Sequence, residues 1–368
     1  MTPRITMTDV ARRAGVHCTT VSLALRNHPR LPVATRKRLR ALAEEMGYRP
    51  DPVLQALNHY RGRLNPRHRI ATLAYLTDLD PRCGQKPSGP HSEYFAGAES
   101  RASDVGYRIE HFWLGEPGLT PNRLSATLRT RSITGVIIAS HRAELETPLK
   151  INWSKFCAVK IDFSPREPAV YNVSSDRYAA IGRSMRRVRA AGYHRIGFAM
   201  HRRWDNDAGL AWSSGFLAAQ QLIPREDLVP IFLFPDSLAH STNDQHDYLA
   251  PRDAFEKWMR RFQPEALIST ADFVKPHLDA MGVAIPRDLA FVDISLRDID
   301  HKIAGVRQNS RRIGEVAVEI LTGQLQQHAL GVPKLPTTTL VDGTWYEGES
   351  LPERHATVGL LDNQCAGA

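Results

Sequence analysis

Ile5-Thr-Met-Thr-Asp-Val-Ala-Arg-Arg-Ala-Gly-Val16 opens the stretch on which the fold of this chain is decided. Thr6 and Asp9 stand three apart ahead of an apolar run, the spacing at which a hydroxyl and a carboxylate satisfy each other's backbone N–H groups at a helix start. Val10, Ala11 and Ala14 carry a helical stripe and Gly15 stops it. A second helix is expected over 17–26, with Val21, Ala24 and Leu25 inward and Thr19, Ser22, Leu23 and Arg26 on the opposite face. A third runs over 33–46 with Leu39, Leu42, Ala43 and Met46 inward, and Gly47 ends it. Two helices joined by a tight turn at Gly15 and Val16 form a helix-turn-helix, whose second helix enters the major groove of DNA.

Charge supports the same reading. Residues 1–69 hold fourteen Arg and Lys against Asp9, Glu44, Glu45 and Asp51, a balance of +10, while the remaining residues hold 34 basic and 35 acidic side chains. The whole excess of +9 therefore sits in the first fifth of the chain, where it can meet a phosphate backbone. The other reading of such a segment is a solvated basic tail.

Arg49-Pro50-Asp51-Pro52 reads as a stiff connector, with Asp51 and Pro52 suited to start a short helix that ends near Tyr60. A basic linker follows over 61–69. Beyond Ile70, apolar strand segments (70–76, 108–113, 135–139, 158–163, 195–200, 231–234, 266–269 and 290–294) alternate with amphipathic helices (94–105, 177–191, 211–221, 252–262 and 313–326). Alternation of this kind specifies parallel sheets covered by helices, and eight strands suggest two of them. The expected architecture is an all-α helix-turn-helix head with a hinge helix (1–60), the linker (61–69), an α/β core of two doubly wound parallel-sheet subdomains (70–346) and a tail (347–368). Two polar loops, 78–92 and 235–249, adjoin strand ends, where open α/β sheets bind ligands.

The segment from Ile5 to Val16, continued by Thr20-Val-Ser22, Thr35-Arg36 and Gly47-Tyr-Arg-Pro50, resembles the DNA-binding head of the LacI/GalR family of repressors. Tyr193-His-Arg-Ile-Gly-Phe198, Gly282-Val-Ala-Ile-Pro286 and Gly314-Glu-Val-Ala317 resemble that family's periplasmic-binding-protein-like core. The resemblance implies base contacts from Cys18, Thr19 and Leu23, with Arg26 on the same face. It implies phosphate contacts from Thr8, His17, Thr20, Ser22 and Thr35, and support of the head by Tyr48. Leu57 would be the wedge that paired hinge helices push into the minor groove; its other reading is a core contact of a short helix. The implied partners are double-stranded DNA with a palindromic operator, a second copy of the chain in a homodimer, and a small-molecule effector, a sugar or nucleoside, in the core cleft.

Departures from the family pattern matter as much. Leu23 stands where many members have an arginine that reads guanine, and leucine offers only apolar contact, for instance to a thymine methyl. His17 replaces a capping serine, Arg26 an asparagine and Pro32 a serine. In the core, Trp212 occupies the place of an arginine three residues before Gly215, which disfavours anionic ligands, while Asp272 matches an aspartate of the pocket. Asp293 and Ser295 stand where the family has glycine and aspartate. Trp212 and Asp272 are therefore the candidate effector residues: the indole can stack on a ring and the carboxylate can accept hydrogen bonds from hydroxyls. Trp212 also fits a core position, as does Trp204.

No phosphate loop, G-x-S-x-G elbow or H-E-x-x-H occurs, so neither an enzyme nor a cofactor is expected. His240 and His246 share one loop but read as solvated rather than metal-binding. Cys18, Cys83, Cys157 and Cys365 are scattered without pairing and read as free thiols. The charged N-terminus carries no secretion signal and no long apolar run follows, so a cytoplasmic protein without a membrane span is expected. The competing function is a small-molecule sensor that does not act on DNA; the basic head argues against it.

Overall fold

The computed structural model describes residues 5–25, 30–48, 71–78, 90–139, 149–163, 167–235 and 252–354. Arg26, Leu57, the hinge, the linker, His240, His246 and the end of the tail lie outside the described residues.

The head is three helices, α1 (Met7–Ala14), α2 (Cys18–Leu25) and α3 (Val33–Glu45). Val10, Ala11, Val21 and Ala43 form its core, with Leu25, Met46 and Tyr48 packed around them. Each is placed by the helical stripe read above, and Leu39 is fully buried as well. Gly15 and Gly47 both take left-handed backbone, with φ of 66° and 72°, which lets the chain reverse after α1 and α3 at no Cβ cost.

The core is two lobes. In the first, β1 (Ala71–Thr77), α4 (Pro90–Asp104), β2 (Tyr107–Trp113), α5 (Pro121–Thr130), β3 (Gly135–Ile138), β4 (Cys157–Ile161) and β5 (Tyr171–Ser175) follow in order. The second contains α6 (Arg177–Ala190), β6 (Ile196–His201), α7 (Arg202–Asp207), α8 (Ala211–Gln220), β7 (Phe232–Phe234), α9 (Arg252–Phe262), β8 (Ala266–Ser269), α10 (Ala271–Ala280), β9 (Ala290–Asp293) and β10 (Ala304–Arg307). The chain then returns to the first lobe for α11 (Ser310–Gln327) and β11 (Thr338–Val341), and crosses again for β12 (Thr344–Tyr346). Among the described residues the sheets are ordered β11-β5-β4-β3-β1-β2 and β12-β10-β9-β8-β6-β7, with only β12 antiparallel to its neighbour.

Strands β3, β4, β8 and β9 are buried along their whole length, as aliphatic runs covered by helices on both faces must be. All eight expected strands are present within a residue or two of their expected bounds. Four more, β5, β10, β11 and β12, extend the sheets, and α5, α7 and α10 are helices beyond those expected. Residues 347–354, placed at the start of the tail by sequence, are fastened to the second sheet. Ser350 donates to the Phe291 carbonyl and accepts from the Ala304 N–H, and the Arg354 side chain pairs with Glu265.

Strand order reverses between β1 and β3 and again between β6 and β8, so each lobe has a crevice at the carboxyl ends of its strands. The two crevices meet in one cleft.

Helices α4 and α11 cover the first sheet in backbone contact. A Cβ on Gly97 would run into the Arg311 carbonyl, and one on Gly314 into the Tyr94 carbonyl. Gly314→Ala should lower the unfolding free energy by about 3 kcal/mol, the upper end for overpacking, because backbone rather than a flexible side chain must move. Gly323, in the same helix, has nothing within 4 Å of a built Cβ. Gly323→Ala should instead be neutral or stabilise by up to about 1 kcal/mol. Urea unfolding of the two variants checks the contrast, and equal midpoints would show that the two helices can separate freely.

Candidate functional site

In the head, Thr6 caps α1. Its Oγ1 accepts from the Asp9 N–H at 3.3 Å, and the Asp9 carboxylate accepts from the Thr6 N–H at 2.9 Å. The Thr6 hydroxyl, which donates to the Asp9 carboxylate at 2.6 Å, and then the Thr6 N–H hold that carboxyl below its usual range. After Gly15, the Val16 N–H closes onto the Ala11 carbonyl at 3.1 Å, which fixes the angle at which α2 leaves the turn. His17 then caps α2: its ring Nδ1 lies 3.4 Å from the Thr19 N–H and 2.8 Å from the Thr19 hydroxyl, and its carbonyl accepts from the Thr20 N–H at 2.9 Å. A ring nitrogen thus takes over the work of a hydroxyl cap. Arg40 of α3 donates to the Leu25 carbonyl at 3.1 Å and ties down the other end.

Thr8, His17 and Thr19 are exposed, and Thr20, Ser22, Leu23 and Thr35 are half-buried. Leu23 stays outside the head's apolar cluster, whereas Cys18 and Tyr48 pack against it. Cys18, read as a base contact, is thus partly buried against that cluster. Pro32 stands at the start of α3 without a side-chain cap, and its carbonyl accepts from the Arg36 N–H.

In the core, the cleft between the lobes encloses about 340 Å³. Trp212 and Asp272 both line it. Trp212 is only 6 % exposed and also belongs to the apolar core of the second lobe, packed beside Phe216 and Ala208. Asp272 pairs with Arg297 at 2.9 Å, both side chains more than half exposed.

The floor of the cleft carries a pair that sequence reading missed. Asp162, immediately after β4, and Arg177, the first residue of α6, meet at 2.7 Å across the first lobe crossing. The Ser174 hydroxyl donates to Asp162 at 2.8 Å and accepts from Arg177 at 2.9 Å. Burial works against the ionised Asp162, but the guanidinium and the hydroxyl outweigh it and hold the carboxyl below its usual range. The Arg177 guanidinium lies 5.7 Å from the Trp212 ring and 5.9 Å from Phe163. The guanidinium that reaches Trp212 thus arrives from a different helix, already held by a carboxylate.

On the wall of the second lobe, Asp293 ends β9 and accepts from the Ser295 N–H at 2.7 Å and the Ala271 N–H at 3.1 Å. Burial pushes its carboxyl up to about 6, and the negative Asp272 adds to this against the pull of those N–H groups and Arg297. Trp204, 40 % exposed, stands over the same wall with His201 and Phe273 behind it at 5.6 and 5.4 Å. Among the described residues no helix is long and apolar enough to cross a membrane.

Residues 6–51 match the family model described as bacterial regulatory proteins, lacI family. No curated protein matches the chain. Among solved structures, the transcriptional regulator CelR in its cellobiose complex is similar at a TM-score of 0.58 and 18 % identity, covering 94 % of this chain and 100 % of its own. The lac repressor dimer bound to operator and the anti-inducer ONPF gives 0.56 and 15 %, covering 95 % and 100 %. A LacI-family regulator from Enterococcus faecium with bound ribose gives 0.52 and 14 %, covering 77 % and 100 %. At these identities the likeness establishes the fold: a helix-turn-helix head joined to a two-lobed α/β core.

The raised Asp293 carboxyl has a measurable consequence. Because the folded protein holds this proton more tightly than the unfolded chain, Asp293 costs stability as pH rises from about 4 to about 6, by about 3 kcal/mol for the shift from 3.8 to about 6. Asp293→Asn removes that dependence. The stability difference between variant and parent should move in the variant's favour over this window and level off above it, as read by denaturant unfolding at a series of pH values. A constant difference would show that the carboxylate is well solvated.

Proposed function

With residues 6–51 a DNA-binding domain of the lacI family as the premise, we propose that this chain is a sequence-specific transcription regulator whose operator affinity is set by a small molecule bound in the core cleft. One observation carries the reading: a basic helix-turn-helix head and a two-lobed core with a polar, aromatic-walled cleft occur in the same chain. The head supplies affinity through its +10 charge and orientation through exposed hydroxyls at Thr8 and Thr19, half-buried ones at Thr20, Ser22 and Thr35, and the ring of His17. Leu23, with Cys18 and Thr19 beside it and Arg26 beyond, reads the bases, and Tyr48 braces the head through its packing on the apolar cluster.

A single head reads only one half-site, so the working unit is a homodimer on a palindromic operator, with Leu57 of each hinge as the minor-groove wedge. The effector, a sugar or nucleoside, lies between the lobes against Trp212 and Asp272. Binding there favours one lobe orientation, and operator affinity changes by the difference in ligand affinity between the two orientations. No step of this mechanism breaks or makes a covalent bond. The protein works in the cytoplasm, where its operator is.

DNA binding tests the reading directly. Fluorescence anisotropy with genomic fragments should show affinity falling steeply with salt, about 0.9 in log–log slope for each phosphate neutralised, and loss of binding when residues 1–69 are removed. A core that binds DNA unaided would point to a different surface.

Readout is tested separately. Leu23→Arg should move preference towards guanine at one symmetric pair of operator positions, with about 1–3 kcal/mol of discrimination per base pair. Selection of sites from a random pool reads this, and an unchanged consensus would remove Leu23 from the interface.

A further inference from the structure

The charges in the cleft are unevenly distributed. On the floor, Arg177 and Asp162 neutralise one another, and His91 on the first lobe faces that same carboxylate. Apart from Arg177, whose guanidinium also feels the Asp207 charge, the second lobe lines the cleft with three carboxylates, Asp207, Asp272 and Asp293, and one further guanidinium, that of Arg297. Arg297 is committed to Asp272 at 2.9 Å. Arg203 reaches Asp207 from the turn behind, at 3.8 Å. Even so the wall holds more negative charge than positive, and Asp293 is the most buried of its three carboxylates at 5 % exposure. Its two oxygens accept backbone N–H groups and no cationic side chain bonds to it among the described residues. Charges so placed act in a partly desolvated cleft, where they are worth more than at an open surface.

Next to these acids the wall is aromatic. Trp204 presents a half-exposed indole braced by His201 and Phe273, a flat surface for a sugar-sized ring and the strongest of the aromatic side chains in attracting a cation. Among the described residues no group of three or more His, Cys, Asp or Glu converges closely enough to hold a metal ion. Positive charge with apolar ring faces suits this wall better than a bare ion.

We infer that the cleft selects a hydroxylated ring bearing a protonated amine, an amino-sugar type of cation, with its ring on Trp204 and its ammonium group against Asp293 and Asp207. This rests on reading the cleft as the effector site, and it narrows that site to one charge class. Neutral rings gain only the stacking and the hydroxyl contacts. An anionic ring would have to displace Asp162 from Arg177 or Asp272 from Arg297, and would then face the remaining acids.

Calorimetry on the intact protein decides it, with D-glucosamine, D-galactosamine and D-mannosamine as probes against their N-acetyl forms, which keep the ring and lose the charge. At least one amine should bind about tenfold tighter than its N-acetyl partner. Asp293→Asn should remove most of that preference, read as the ratio of amine to N-acetyl affinity within the variant. Should Asp293→Asn fail to fold, Asp207→Asn, at a more exposed position, should reduce the preference at least threefold. The inference is overturned if the N-acetyl forms bind as tightly, if no amine binds, or if the preference survives both substitutions. Operator anisotropy with the same ligands separates this from the broader reading. A neutral sugar that binds the cleft and alters DNA affinity would sink the charge assignment and leave the regulator standing. An amine that binds as described and leaves DNA affinity unchanged would do the reverse.

Discussion

Asp162 immediately follows strand β4 and Arg177 is the first residue of the helix that begins the other lobe, so the ion pair between them ties the first sheet to the start of the second lobe. Both groups are withdrawn from water, and each would be costly there alone. Ser174 completes the set by bonding to both. The floor of the cleft, the departure of α6 and the placement of Trp212 under the guanidinium all follow from this pairing. Removing one partner would leave a charge buried in the joint between the lobes.

The same geometry explains how a core can be firm within each lobe and adjustable between them. The first lobe is locked by two helices whose backbones touch at Gly97 and Gly314, and the second by an aromatic stack in which Phe234 meets Phe255 and Phe273 at 4.9 and 4.7 Å. The described contacts between lobes include two ion pairs, Arg177 with Asp162 and Arg307 with Glu93 at 2.9 Å, and Arg177 also meets the Ser174 hydroxyl and the Phe163 ring. Ion pairs tolerate a change of angle that interlocked apolar side chains do not. A ligand in the cleft therefore acts on the softest layer of the molecule.

How much of this could be read from the sequence depends on the range of the interactions. The head was legible almost residue by residue, because Thr6 with Asp9, Gly15 and the stripe through Val21 and Ala24 are local devices that act within one turn. The aliphatic strands were legible for the same reason. Strand β5, Tyr-Asn-Val-Ser-Ser, was not: only Val173 is aliphatic, and its polar residues are buried because β4 and β11 flank it. Helix α10 hides behind Pro276, which sits inside it. The Arg177–Asp162 pair was invisible because the partners are fifteen residues apart and belong to different lobes. Reading Trp212 by its own position said nothing of a guanidinium reaching its ring from α6. Both proposed effector residues line the cleft, and Trp212 serves the core as well.

The three crossings have a consequence for synthesis. Neither lobe is a continuous piece of chain: the first needs α11 and β11 to cover its sheet, and the second needs β12 and the strap through Ser350. A chain that leaves the ribosome head first can fold the three-helix head at once from contacts close in sequence. It must then hold β1 through β5 under α4 and α5, without α11 or the edge strand β11, until residue 341 has emerged. In the interval the three-helix head exists without a finished core behind it. Termination after the head and before β12 would release a folded three-helix domain joined to a core whose second sheet lacks its antiparallel edge strand.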